Sequence, residues 1–177
     1  LGRSHQKVKM GGHSGNRFTI TIRGCANADG TPMDSEDALS EVERIRDKLQ
    51  EHLGEGRFPN WVGPQRFGST RPVTPVVGRH VVSGNFEEAV NSYLGMAGMN
   101  ESDEASGFRS NWRDNRDVHD ALELVPKHLG YERDMLTSLQ SRPDDWVRAF
   151  RRLPNNLQLM TVHSLQSMAF NHILGAR

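Results

Sequence analysis

The chain has 177 residues, with 22 Lys and Arg balanced by 22 Asp and Glu, and a single cysteine, Cys25. That length supplies one domain or a large part of one. The lone thiol excludes an internal disulfide framework and a cysteine-based zinc site within this chain and suits a reducing cytoplasm; no stretch approaches the length needed to cross a bilayer, and no signal-peptide hydrophobic run is present in it.

In chain order, residues 1–16 are rich in Gly, His, Ser and Lys without apolar periodicity and read as an extended basic loop. Phe18, Ile20 and Ile22 then alternate with Thr19, Thr21 and Arg23, the period of a half-buried strand over 18–23. Asn27, Asp29 and Gly30 mark a turn before Pro32. A helix follows, capped by Asp34 and closed by Gly54, with Leu39, Val42, Ile45, Leu49 and Leu53 on one apolar stripe. Residues 57–75 carry Pro59, Pro64, Pro72 and Pro75 among glycines and form no long regular element. Helices are predicted over 76–82, 86–96, 117–125, 131–141 and 144–153, and residues 99–114 read as a polar surface loop. A last helix starts at Pro154 and Asn155 and carries Val162, Leu165, Ala169 and Ile173 on one face. The start at Leu1 rather than Met, and the stop at Arg177 within a helical pattern, suggest a fragment.

Charge is blocked along the chain. Residues 1–23 hold five Lys or Arg and no acid, 29–51 reverse this, and 54–82 are basic again. Such blocks can set a positive face beside a negative one, as nucleic-acid binding requires; solvated surface charge is the plain alternative. Two segments combine amides, guanidinium groups and rings on irregular backbone: Gly15-Asn16-Arg17-Phe18, and Pro59 to Gly68 followed by Arg71-Pro72. A ring can stack on an unstacked base, an amide can read its edge and arginines can take phosphates. Loop anchoring against a core is the competing role for Trp61. Gln158, Gln166 and Asn171 on the last helix are expected to hydrogen-bond neighbouring loops. His163 with His172, and His5 with His13, lack metal-ligand spacing, and no nucleotide-binding glycine loop or nucleophile elbow occurs.

The order Gly15-Asn16-Arg17-Phe18, Pro59-Asn60, Gly63-Pro64-Gln65-Arg66-Phe67-Gly68, Arg71-Pro72, Tyr131-Glu132-Arg133 and His163-Ser164-Leu165-Gln166-Ser167 resembles the TruD family of tRNA pseudouridine synthases, in its archaeal and eukaryotic branch. The resemblance implies isomerisation of a uridine in tRNA, typically at position thirteen, with tRNA as partner and neither cofactor nor metal. It implies an α+β fold: part of a catalytic domain with an antiparallel sheet flanked by helices, helix-rich in the C-terminal two-thirds of residues 1–177. In the family an aspartate does the central chemistry beside an Asn-x-Phe motif, here Asn16 and Phe18. The aspartate belongs to a Lys-Asp motif that this chain lacks, so it is expected upstream of Leu1, with an insertion domain beyond Arg177. The chain by itself is therefore expected to be inactive. Phe18 would replace stacking lost when the base leaves the helix, and Asn16 would fix the loop or touch the base edge. Gln65, Arg66, Phe67 and Gly68 would shape the pocket wall, and Lys7, Lys9, Arg17 and Arg71 would meet the RNA backbone. A non-catalytic RNA-binding module and a helical interaction domain stand as alternatives.

Overall fold

In the computed structural model, residues 12, 14, 15 and 17–176 are described, and residues 1–58 and 59–177 form two compact units. Among the described residues of the first unit, hydrogen bonding starts at the turn over 25–33. The Asp29 carboxylate accepts from the Thr31 amide at 2.9 Å and the Thr31 hydroxyl at 2.7 Å, which lowers its pKa. An antiparallel bridge between Ala26 and Pro32 closes the turn. Helix α1 spans Ser35–Leu53. Asp34 accepts from the amides of Glu36 and Asp37, and Gly54 ends the helix at φ 91°, as the sequence indicated.

The apolar stripe of α1 is only partly covered within this unit: Leu39 and Val42 border a shallow groove with Ile22, Cys25 and Met33, and Leu49 is half-buried. The helix has no buried residue; Val42 is 55% exposed, and Leu39, Ile45 and Leu53 are exposed with it. The expected strand does not form either. Residues 17–24 have no regular structure, and Phe18, Ile20 and Ile22 are all exposed, Phe18 at 77%. The expected α+β class with an antiparallel sheet is thereby corrected: among the described residues there is no strand, only the isolated bridge at the turn. Alternation can prepare a segment for pairing, but a strand exists only when a neighbour takes its amides and carbonyls.

Among the described residues, the regular elements of the second unit are all helices. The unit contains a 3₁₀ turn at Pro64–Arg66, then α2 (Thr74–Val82), α3 (Phe86–Gly95), α4 (Asp103–Asn115), α5 (Val118–Leu124), α6 (Gly130–Ser141), α7 (Trp146–Phe150) and α8 (Asn155–Gly175). Val77, Leu94, Phe108, Trp112, Met135 and Phe150 lie at its centre. Caps set the boundaries: Asn85, Ser102, Asp117 and Asp145 each accept a backbone N–H in the first turn that follows.

Two sequence readings change here. Most of residues 99–114, expected as a loop, belongs to helix α4 (Asp103–Asn115), whose buried face is Ala105, Phe108, Arg109 and Trp112. That spacing is the one an amphipathic helix needs; the arginine in its middle disguises it. On α8, Ile173 is 64% exposed and Ala169 is exposed too, whereas Thr161 and Ser164 are buried. Close approach explains the exchange: a Cβ on Gly78 of α2 would lie 2.1 Å from the Thr161 carbonyl oxygen. The Thr74 and Ser164 hydroxyls meet at 2.9 Å across this contact, so small residues rather than large apolar ones make the seam.

Candidate nucleic-acid interface

The segment 59–73 is irregular because its prolines remove donors and its glycines relax φ, and each end is tied to a different part of the helical unit. At one end, the side-chain amide of Asn171 on α8 accepts from the Val62 N–H and donates to the Val62 carbonyl, both at 2.9 Å. The Trp61 ring lies over Gly175, where a Cβ would come within 2.9 Å of it. Gln158 donates to the Leu153 carbonyl at 2.7 Å, so it and Asn171 make backbone contacts as expected. The Phe67 carbonyl accepts from the Thr74 hydroxyl at 3.0 Å.

At the other end, Arg71 enters the helical unit. Its guanidinium donates to the carbonyls of Tyr93 and, at 2.8 Å, Met96, at the C-terminal end of α3 where carbonyls lack helical partners. It lies 5.2 Å from the centre of the Tyr93 ring and 3.5 Å from the Glu132 carboxylate. Arg109 completes the arrangement, with Glu101 at 2.8 Å, Glu132 at 3.1 Å and the Leu94 carbonyl at 3.0 Å. Burial, with Arg109 adding repulsion, brings Arg71 down to about 10, so it stays charged at neutral pH. Burial also pushes the Tyr93 phenol up to about 12, assisted by Glu132. At Glu101, burial raises the pKa, but the Gly98 N–H and Arg109 outweigh it and leave the carboxyl below its ordinary value.

Gln65 and Arg66 are exposed between these anchors, and Phe67 and Gly68 are half-buried. Among the described residues Arg66 has no ion-pair partner within 4.0 Å. Gly68 has φ +95° and faces the Arg71 carbonyl so closely that a Cβ would stand 2.3 Å from it. Beside this turn is an open, mainly apolar cavity of about 810 Å³, lined by Trp61, Phe67, Pro72, Pro75, Met168 and His172 among others.

The structure thus gathers Gln65, Arg66, Phe67, Gly68 and Arg71 into one turn. Arg71 itself has only 14% of its side chain exposed and is committed to carboxylates and carbonyls, an arrangement unlike a free phosphate contact. Phe18 and Arg17 lie in the first unit, both exposed. Asn16, Lys7 and Lys9 fall outside the described residues. Glu101, Arg109 and Glu132 are the residues that sequence reasoning missed as partners of this turn. Among the described residues no group of three His, Cys, Asp or Glu could hold a metal ion.

The helical unit thus presents one anchored turn carrying an exposed amide, a guanidinium without an ion-pair partner among the described residues, and rings, which are groups of the kind that can contact a polyanion or an unstacked base. The backbone of the chain is similar to that in a crystal structure described as the "Putative tRNA pseudouridine synthase D (TruD)" from Methanosarcina mazei, with TM-score 0.70 and 38% identity over 77% of this chain and 30% of that one. The chain belongs to the TruD family: the family model for tRNA pseudouridine synthase D matches residues 1–177. A protein named probable tRNA pseudouridine synthase D from Methanosarcina mazei is 40% identical over the whole chain, and one so named from Methanopyrus kandleri is 39% identical. The chain spans 38% and 41% of the lengths of these two relatives.

Proposed function

We propose that this chain works within a longer polypeptide that isomerises a uridine in tRNA to pseudouridine, in the cytoplasm. The family match over residues 1–177 carries this reading. The share of the relatives' length outside the chain supports the catalytic aspartate and the insertion domain lying in that remainder. Position thirteen of the D-arm is the target the resemblance indicates.

In this reading Phe18 stacks against the extruded base. Its ring is accessible for that task, and by comparison with other base–aromatic contacts it contributes about 1–3 kcal/mol. Gln65 to Gly68 form the wall, with Arg66 and Arg17 facing phosphates; Asn16, Lys7 and Lys9 complete the set in the basic segment before Phe18. Arg71 leaves the list of phosphate contacts because its guanidinium is already held.

Tritium release from C5-labelled uridine in tRNA tests the proposal. The full-length protein should release tritium and the 177-residue chain should not. Release by the chain alone would overturn an external aspartate, and silence of the full-length protein would overturn the activity.

A further inference from the structure

We propose that Arg71 is a positioning residue, seated by Glu101, Arg109 and Glu132, which sets where the Gln65–Gly68 turn stands. The inference rests on the function proposed above, and its geometry begins with charge. Two guanidinium groups and two carboxylates share one buried site, with Glu132 Oε1 within 3.5 Å of Arg71 and 3.1 Å of Arg109. The four charges cancel, and the side chains are at most 16% exposed. Burial of a charged pair is costly unless the geometry satisfies every donor, so such a site has few alternative arrangements.

The network does more than hold the helices together. Glu101 accepts from the Gly98 N–H at 3.0 Å, and the next amide, from Met99, donates to the Thr70 carbonyl at 2.6 Å. A Cβ on Gly98 would lie 3.0 Å from both Arg71 Cβ and the Thr70 carbonyl oxygen. The backbone just before Arg71 is therefore tied, through the Met99 amide, to the Gly98–Glu101 segment whose carboxylate also binds Arg109. The Arg71 carbonyl accepts from Val73 N–H at 2.7 Å and abuts Gly68. Position passes from the buried charges to Thr70 and Arg71, and from there to Gly68 and the exposed Gln65 and Arg66.

A positioning role and a phosphate contact differ in what they do to turnover. Arg71→Lys in the full-length protein keeps the charge but loses the fork that reaches two carbonyls and a carboxylate at once. The expected result is faster amide hydrogen exchange at residues 66–70, with the amides of α6 and α8 unchanged as a control on folding. The kcat for pseudouridine formation in tRNA should fall by about tenfold, since misplacement of a supporting group costs rate, while KM for tRNA stays within about threefold. Arg71→Ala should show the same pattern more strongly.

Unchanged exchange at 66–70 would overturn the proposal, as would an intact kcat with a raised KM, the signature of a backbone contact. The exchange measurement needs no RNA. An inactive wild-type protein would therefore sink the proposed function, whereas unaltered exchange in Arg71→Lys would sink the positioning role.

Discussion

Helices α1 and α4 reverse each other's appearance. Helix α1 has a clean apolar stripe but no fully buried residue; α4 has a polar sequence and buries Phe108, Arg109 and Trp112. Periodicity reports which face of a helix is suited to a partner. Burial also requires the partner, and α4 has it in α3, α5 and the Glu101–Glu132 pair. An arginine can serve as a core residue when carboxylates and carbonyls satisfy its donors.

This contrast can be broken most forcefully at Arg109. Replacing it with Ala should destabilise the protein by about 3–5 kcal/mol in urea unfolding, because Glu101 and Glu132 would be left buried with one cation between them. A loss under about 1 kcal/mol would show that α4 is held by its apolar residues alone. Next is Gly78→Ala, where the added methyl meets the Thr161 carbonyl; overpacking of this kind costs about 1–3 kcal/mol, and the same unfolding measurement reads it. Ser102→Ala removes the cap of α4 and should cost about 1 kcal/mol, measured by thermal melting. The smallest effect belongs to α1. Val42→Ser should change the stability of the 177-residue chain by no more than about 0.5 kcal/mol, as exposed substitutions do. A much larger loss in the full-length protein would show that the stripe is covered there.

The parts of the fold that depend on local chemistry were legible. Asp34 and Gly54 bound α1 where their capping propensities put them, and the Asn27–Gly30 turn forms because the Asp29 side chain satisfies Thr31. The parts that depend on distant partners were not. Phe18 to Arg23 alternates like a strand, yet no ladder reaches it among the described residues. The stripe on α8 pointed at Ile173, while the contact goes through Thr161 and Ser164 because Gly78 lets α2 come close.

The candidate site divides in the same way. Gln65, Arg66 and Phe67 were marked by residue type and remain on one accessible turn. Arg71 was read as a phosphate contact because its partners, Glu101 and Glu132, are far along the chain and carry no local signature.

The clasp between Asn171 and Val62 has a consequence of its own. A carboxamide offers the same donor and acceptor as a peptide unit, so α8 gives the Val62 backbone one rung of a ladder without any strand. That rung uses one N–H and one oxygen lone pair of Asn171. Asp in its place would keep an acceptor for the Val62 N–H but leave the carbonyl facing a like-signed oxygen, turning a clasp into a repulsion.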